Sequence, residues 1–242
     1  MVRLSRLLFV RGGLDVVMKI KLWIYGEPFS GKTTFACKAP KHLVLSTDGN
    51  AEYVTDQYIL ITDEVKKNGR MIERKSAWEV FKENIERLET ETNKYETIIL
   101  DLTEDTYEMC RVYMYKKLNI THESDDSFRA WDKVRTEYLS TMRKVMNLPY
   151  NIILISHEDT TKDITKKSGE NITAIKPNIT DKVANKLAGM VAMVGRVVCD
   201  NGEYKLQIKP DEMTFGGGRF GITNITIPLE WSEVTKLFNN KK

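Results

Sequence analysis

Short apolar runs alternate with longer amphipathic stretches over most of the chain. The runs are five or six residues long, as in buried strands, and the amphipathic stretches repeat apolar residues every three or four positions, as in helices. Strands are predicted at residues 20–25, 42–47, 97–101 and 151–156, and helices at residues 34–38, 76–92, 104–118 and 127–147. This alternation predicts an α/β fold with a mostly parallel, twisted sheet flanked by helices.

The C-terminal third of the chain predicts a different arrangement. Two apolar segments flank Asp200-Asn201-Gly202, which is a strong signal for an antiparallel hairpin. These segments are residues 190–199 and 204–209, and a last strand is predicted at 222–227, with helices at 181–187 and 231–239. We expect one domain, residues 18–242, and we interpret residues 1–17 as an extension outside the fold, with Met18 as an alternative start.

Four other segments have weak periodicity. Residues 58–62 are apolar and fit an extra strand or a packed turn. Residues 66–75 and 216–221 are interpreted as loops, and residues 159–180 as a long polar segment without regular structure. A structureless stretch of that length inside a compact domain is usually functional or disordered.

The loop after the first predicted strand fits G-x-x-x-x-G-K-[ST], the phosphate-binding P-loop pattern. It consists of Gly26, Glu27, Pro28, Phe29, Ser30, Gly31, Lys32, Thr33 and Thr34. The glycines let backbone N–H groups turn toward phosphate oxygens, and the following helix adds its positive end. Lys32 is expected to reach the β- and γ-phosphates, and the Thr33 hydroxyl to bind Mg²⁺. The motif therefore predicts a site for ATP and Mg²⁺.

Polar residues end or follow three further predicted strands. Because the carboxyl ends of parallel strands meet at one edge of the sheet, these residues are expected beside the phosphates. Asp101 closes an apolar run and is the candidate second ligand of Mg²⁺. Asp48 is the candidate that polarises the attacking water, and Glu104 competes for this role. His157 is a candidate γ-phosphate sensor, which would pass the presence of that phosphate to the next segment.

Composition places few further limits on function. Among 242 residues, 41% are hydrophobic and 29% charged, which is ordinary for a globular protein. The net charge of +3 gives no strong electrostatic argument for nucleic acid. Three cysteines without a C-x-x-C pair argue against a disulfide framework or metal cluster and favour a reducing cytoplasm. No apolar run approaches the roughly 18 residues of a membrane span, so no membrane association is predicted.

Together the motifs resemble the RecA-type recombinase core. Residues 30–34 match the S-G-K-T-T end of that family's P-loop, and residues 97–101 match its Walker B strand. Ser46-Thr47-Asp48-Gly49 resembles the D-T-E-G of the eukaryotic Rad-type recombinases, whose glutamate activates water. Asp48 replaces that glutamate here, which implies slow hydrolysis. His157 stands where the family has a polar γ-phosphate sensor.

A closer resemblance is to phage-encoded, core-only members, the Sak-four group of single-strand annealing proteins. Residues 148–158 are similar to their LP-x-N-hydrophobic-x-x-x-x-H-E pattern, and residues 218–221 to a late basic-aromatic-glycine motif. The resemblance implies a RecA-like P-loop NTPase core with a C-terminal antiparallel hairpin extension. It also implies ATP hydrolysis, single-stranded DNA binding, homo-oligomer formation and a role in phage DNA recombination in the host cytoplasm.

The resemblance also assigns basic residues to two roles. Residues 159–180 would form the DNA-binding loop, with Lys162, Lys166, Lys167 and Lys176 as its lysines. This segment contains no aromatic cluster on which bases could stack. A basic residue from a neighbouring subunit would complete the ATP site, and Lys209 and Arg219 are candidates by position.

Three alternatives remain open from the sequence. One is a non-hydrolysing, ATP-dependent scaffold, because Asp48 replaces the glutamate. Another is a loader of a single-strand binding or replication protein. The third is a P-loop kinase for a small molecule, although the one lid-sized loop carries lysines and no arginine.

Overall fold

The computed structural model describes residues 18–121, 127–165, 171–209 and 211–239. The predicted extension at residues 1–17 lies outside these ranges, as do Lys166 and Lys167. In chain order the elements are β1 (Lys21–Gly26), α1 (Lys32–Ala36), β2 (His42–Ser46), β3 (Tyr58–Leu60), β4 (Glu64–Asn68), β5 (Met71–Lys75), α2 (Ala77–Thr90), β6 (Thr97–Asp101), α3 (Thr103–Leu118), α4 (Ser127–Asn147), β7 (Asn151–Thr165), β8 (Asn171–Pro177), α5 (Asp181–Ala188), β9 (Met193–Asp200), β10 (Glu203–Ile208), β11 (Gly217–Gly218), β12 (Ile225–Pro228) and α6 (Trp231–Asn239).

A mixed sheet forms the centre of the fold. Parallel strands run in the order β9-β1-β7-β6-β2-β3, and β10 and β12 continue the sheet antiparallel beyond β9. The short β11 pairs with β9, and β8 pairs with the distal part of β7. The predicted fold class is confirmed: a mostly parallel α/β sheet flanked by helices, with C-terminal antiparallel strands, consistent with a P-loop NTPase fold.

Helices cover both faces of this sheet because side chains alternate along each strand. On β1, Trp23 and Tyr25 join the apolar layer that contains residues of α2, α3, α4 and α5. Leu22 and Ile24 join the opposite layer, which contains residues of α1 and α6. All four of these side chains are fully buried. Burial on both faces explains why the central strands are near-continuous hydrophobic runs.

The prediction for residues 66–75 is wrong, because they form most of a two-stranded ribbon rather than a loop. β4 and β5 pair antiparallel, with Asn68 opposite Met71. Gly69 adopts φ 62° in the turn, a conformation that glycine allows without strain. The strands carry polar side chains on both faces and therefore lack the alternation that predicts a strand. The Asn68-Gly69 pair was the available signal for a hairpin.

The prediction for residues 159–180 is also wrong. β7 continues from the core strand to Thr165 and pairs with β8 along most of this extension, with Glu158 opposite Pro177 and Thr165 opposite Asn171. The ladder satisfies the backbone polar groups of a segment that has few apolar side chains to bury.

The remaining elements differ from prediction mainly at their ends. The apolar residues 58–62 contain β3, an edge strand, and β9 begins at Met193 instead of residue 190. Residues 216–221, predicted as a loop, contain β11 and a short 3₁₀ turn, Arg219–Gly221.

Candidate functional site

Strand register brings the candidate residues to one edge of the sheet. Gly26, at the start of the P-loop, lies opposite His157 across the β1–β7 pair. Ser46, two residues before Asp48, lies opposite Asp101 across the β2–β6 pair. The P-loop, both candidate carboxylates and the candidate sensor therefore lie at the carboxyl edge of four parallel strands.

The P-loop has a backbone that only particular residues permit. A Cβ atom on Gly26 would lie 2.4 Å from the carbonyl oxygen of Val197, so this position requires glycine. Gly31 has φ 84° immediately before α1. Phe29 also has a positive φ, 64°, and its side chain is fully exposed. Glu27 and Pro28 are exposed as well.

Lys32 is buried against the loop it follows. Its Nζ donates hydrogen bonds to the carbonyl oxygens of Gly26 and Glu27, at 2.9 and 2.7 Å, and lies 3.4 Å from Ser30 Oγ. Burial lowers the pKa of Lys32, while the Asp101 and Glu104 carboxylates oppose that shift. The ammonium group lies against the loop, and the negative charge of a ligand bound there would favour the protonated form of Lys32.

Thr33 and Asp101 form the candidate magnesium site. The Thr33 hydroxyl donates to Asp101 Oδ2 at 2.7 Å, and Asp101 is only 4% exposed. Burial raises the pKa of Asp101 to about 6; the Thr33 hydrogen bond opposes this shift, and the nearby Asp48 carboxylate adds to it.

The donor set of this site fits Mg²⁺. One carboxylate and one hydroxyl lie next to a phosphate-binding loop, and Mg²⁺ in such sites is held by one or two protein oxygens, substrate phosphates and water. Over the described ranges, no group of three or more His, Cys, Asp or Glu residues is arranged to hold a metal ion. A metal bound here would therefore need the phosphates of a nucleotide to complete its coordination.

Asp48 lies in a turn after β2 and is exposed. Its Oδ1 accepts from the backbone N–H of Asn50 at 3.0 Å and from Ser46 Oγ at 3.3 Å, and its Oδ2 accepts from Asn50 Nδ2 at 2.6 Å. Both carboxylate oxygens are therefore held within the turn. To polarise a water molecule, Asp48 would have to share or exchange one of these bonds.

Glu104, the competing carboxylate, lies in the first turn of α3 and contacts the candidate sensor directly. Its Oε1 accepts from the backbone N–H of His157 at 2.7 Å and lies 3.1 Å from His157 Nδ1. This hydrogen bond is the main cause that raises the pKa of His157. The structure thus joins two residues that the sequence treats as separate candidates.

Sequence reasoning missed two side-chain pairs at this edge: one ion pair, and one hydrogen bond from a hydroxyl to a carboxylate. The buried Glu158 carboxylate, 3% exposed, receives two hydrogen bonds from Arg196, at 2.8 and 2.9 Å. Asp105 Oδ2 accepts from the Thr47 hydroxyl at 2.7 Å. Only strand and helix positions in the fold bring these partners together, so the sequence carried no signal for either pair beyond the polar character of the strand ends.

The remaining basic candidates lie away from the P-loop or are engaged within the chain. Arg219 donates to the carbonyl oxygens of Gly189 at 2.9 Å and Val191 at 3.3 Å, just beyond the end of α5. Lys209 is exposed after β10. Lys162 lies on β7, and Lys176, on β8, lies 3.3 Å from an Asp181 carboxylate oxygen.

A groove of about 1170 Å³ opens beside Glu104 and runs between α3, α4 and the start of α5. Tyr107, Trp131 and Ile179 supply apolar walls, and both acidic and basic side chains surround them.

None of the helices in the described part of the chain has the length and apolar character needed to cross a membrane.

Comparison with known proteins agrees with this geometry. A family model described as AAA domain (AAA_24) matches residues 18–220, well over half of the chain. None of the curated proteins matches the chain. The matched range contains the P-loop, Asp101 and His157 together with the sheet that positions them. The chain therefore belongs to this AAA domain family, a family of P-loop ATPases.

Proposed function

We propose that this nucleotide-binding ATPase is Mg²⁺-dependent and that its nucleotide state controls binding of single-stranded DNA during phage DNA recombination or annealing. The observation that carries the proposal is the course of β7. This strand holds His157 opposite Gly26 of the P-loop and continues to Thr165 as one arm of the β7–β8 hairpin, with an irregularity in the pairing between Asp159 and Lys162. A change at the terminal phosphate therefore has a direct structural route to the hairpin.

The nucleotide would be bound by the P-loop residues in distinct roles. Backbone N–H groups of the loop and of the start of α1 face the phosphates, and Lys32 supplies the positive charge. Thr33 and Asp101 would hold Mg²⁺. When bound, Mg²⁺ neutralises charge on the β- and γ-phosphates and orients them for attack.

Asp48 is proposed to polarise the attacking water. Its carboxylate is close enough to raise the pKa of Asp101, so it lies beside the proposed metal ligands. A bound water would share Oδ2 with the Asn50 side chain or displace it, and this competition supports slow hydrolysis. Glu104 remains the competing base.

The β4–β5 ribbon and the β7–β8 hairpin lie at the same edge of the sheet as the proposed nucleotide site, and this placement supports DNA binding. The parallel strand β3 leads into the β4–β5 ribbon at its carboxyl end, and β7 leads into the β7–β8 hairpin. Between residues 64 and 75 the chain has five Lys or Arg and two Glu residues. Such a basic ribbon fits contacts to the phosphate backbone, which supply most sequence-independent DNA affinity.

The first test is steady-state ATP hydrolysis with and without single-stranded DNA at a fixed low salt concentration. We expect hydrolysis that requires Mg²⁺ and increases with DNA. Lys32→Ala should abolish hydrolysis and weaken ATP binding at least about tenfold, because a hydrogen bond to a charged group is worth roughly 1.5–3 kcal/mol. Lys38→Ala is the matched control, since Lys38 is exposed and pairs with Glu230.

The same assay separates the alternatives. ATP binding without hydrolysis, with or without DNA, would favour the scaffold. Hydrolysis indifferent to DNA but increased by a single-strand binding or replication protein would favour the loader. Either result would overturn the DNA-dependent ATPase.

A small-molecule kinase is the second candidate, because the groove beside Glu104 could hold a phosphate acceptor. Its apolar walls and mixed charges fit a small polar molecule, and one of its lining residues, Glu104, contacts His157, the proposed γ-phosphate sensor. Phosphate transfer from ATP to an added small metabolite, without release of inorganic phosphate, would support this function over the ATPase.

A further inference from the structure

Glu104 binds His157 through one carboxylate oxygen only. Oε1 accepts both the backbone N–H and the Nδ1 proton of His157, at 2.7 and 3.1 Å. The other oxygen, Oε2, is buried and has no hydrogen-bond partner among the described residues. The Glu104 side chain is 13% exposed, and that of His157 is 35% exposed. The carboxylate therefore fixes the ring from the protein side, while the ring itself remains accessible.

This contact determines which ring nitrogen is available to a ligand. With Nδ1 donating to Glu104, Nε2 lies on the opposite side of the ring and has no hydrogen bond to any described residue. The negative charge of Glu104 also favours the protonated imidazole, in which Nε2 is a donor. A donor at this position suits an anionic ligand.

The position of the ring relates it to the nucleotide. His157 lies opposite Gly26 in the β1–β7 register, and its pKa responds to charges from several elements. Glu104 on α3 and Asp101 on β6 raise the pKa of His157, whereas Lys32 on α1 lowers it. The ring is thus within electrostatic reach of both the proposed phosphate-binding lysine and the proposed metal ligand.

We propose that Glu104 is a positioning residue that holds the His157 ring so that Nε2 donates a hydrogen bond to the terminal phosphate of the bound nucleotide. In this role Glu104 acts through His157 and takes no proton from water. It also joins the first turn of α3 to β7, the strand that leads into the hairpin. The inference rests on the proposed ATPase function and assigns Glu104 a role other than that of the competing base.

The two possible roles of Glu104 respond differently to a conservative substitution. Glutamine keeps one carbonyl oxygen, which can accept both hydrogen bonds from His157, but it cannot take a proton from water. Glu104→Gln should therefore retain most activity at low pH if Glu104 positions the ring. Since glutamine lacks the charge that favours imidazolium, the activity of this variant should decline at a lower pH than that of the native protein.

The experiment compares kcat and KM for ATP across pH in Glu104→Ala, Glu104→Gln, His157→Ala and the Glu104→Ala/His157→Ala double variant. Removal of a group that orients a functional residue typically costs about 10- to 100-fold. We expect a loss of this size in kcat for each alanine variant, and no further loss in the double variant, because both changes remove one interaction. Thermal unfolding of each variant shows whether it is folded.

Nuclear magnetic resonance titration of the His157 ring provides a readout that is independent of turnover. The chain contains only three histidines, so the ring signals can be assigned by substitution. Glu104→Gln should lower the pKa of His157. Asp48→Asn, proposed to act on the water itself, should lower kcat at every pH and leave the pKa of His157 unchanged.

Three results would overturn the inference. If Glu104→Gln lost as much turnover as Glu104→Ala at every pH, Glu104 would act as the general base. If His157→Ala hydrolysed ATP at the native rate and Lys32→Ala were inactive, His157 would not be the sensor, although the protein would still be an ATPase. An unchanged pKa of His157 in Glu104→Gln would refute the positioning role whether or not the protein hydrolyses ATP, whereas absence of hydrolysis in the native protein refutes the proposed function itself.

Discussion

The pKa values of three side chains at the candidate nucleotide site depart from their ordinary values, two of them because of burial. Burial lowers the pKa of Lys32 and raises that of Asp101 to about 6, and in each case the charged form is disfavoured. His157 differs, since its hydrogen bond to Glu104 outweighs burial and raises its pKa. The proposed phosphate and metal binding requires the charged forms of Lys32 and Asp101, and the fold maintains these forms at a cost in folding free energy.

Asp101→Asn should expose this cost. The carboxyl group has an ordinary pKa of 3.8 and a pKa of about 6 in the fold, so the folded protein binds more protons than the unfolded chain between these values. Stability is therefore lost as pH rises through that window. At pH 7.5 without Mg²⁺, the variant should be more stable than the native protein by on the order of 1–3 kcal/mol. At pH 4 the difference should nearly vanish.

Chemical denaturation at the two pH values measures this effect. Asp56→Asn is the control, because Asp56 is exposed. An equal stability difference for Asp101→Asn at both pH values would mean that burial of the charge is not its cause. The variant should also lose the Mg²⁺ dependence of ATP binding.

Arg219 shows how a loop residue can stabilise a helix. Its guanidinium group donates to the carbonyl oxygens of Gly189 and Val191, which follow α5. Carbonyl oxygens at a helix C-terminus lack intrahelical partners, and a positive charge there is favourable. The C-terminal Gly-rich segment is thereby attached to the end of α5.

Arg219 is exposed, so Arg219→Ala should lower the free energy of unfolding by about 0.5–1.5 kcal/mol through loss of these hydrogen bonds. Lys209→Ala, at an exposed position, serves as the comparison and should leave stability nearly unchanged. Equilibrium unfolding monitored by circular dichroism gives the two values. If Arg219 instead completes the ATP site of a neighbouring subunit, its substitution should reduce turnover and leave stability unchanged.

One edge of the sheet carries the proposed nucleotide site, the β4–β5 ribbon and the β7–β8 hairpin. This follows from parallel strand direction, because the carboxyl ends of β1, β2, β3, β6 and β7 all point the same way. A ligand that bridges this edge, such as single-stranded DNA or a second subunit, could contact the nucleotide site and a ribbon together. Such an arrangement supports nucleotide-dependent assembly.

Mg²⁺ with a non-hydrolysable ATP analogue should therefore increase the molar mass of the protein in solution to a whole-number multiple of the protomer mass. Light scattering coupled to size-exclusion chromatography measures this change. Lys32→Ala should retain the mass seen without nucleotide, because it lacks the phosphate-binding charge. A native protein that keeps the mass of one protomer with and without the analogue, at every protein concentration, would contradict the predicted homo-oligomer.

The sequence alone determined the parts of the protein whose signals are local. Buried parallel strands are continuous apolar runs, and the P-loop is a contiguous motif, so the central strands and residues 26–34 could be located without coordinates. The start of α2 also depends on local contacts, since Ser76 accepts from the Glu79 backbone N–H and Glu79 accepts from that of Ser76. The strands of the β4–β5 ribbon gave no apolar pattern, since both faces are polar and largely exposed, and their local signal was the Asn68-Gly69 turn.

The contacts between side chains that are distant in the sequence depend on the tertiary structure. The pairing of Glu104 with His157, the ion pair between Glu158 and Arg196, and the attachment of Arg219 to the end of α5 depend on strand register and helix position. Hydrogen bonds require separations near 3 Å. The Arg219 and Glu104 contacts join residues that are 30 and 53 positions apart in the chain, so these residues reach that separation only after the sheet has formed. Residue type and order thus specified the nucleotide site, whereas the fold specified how its charges are paired.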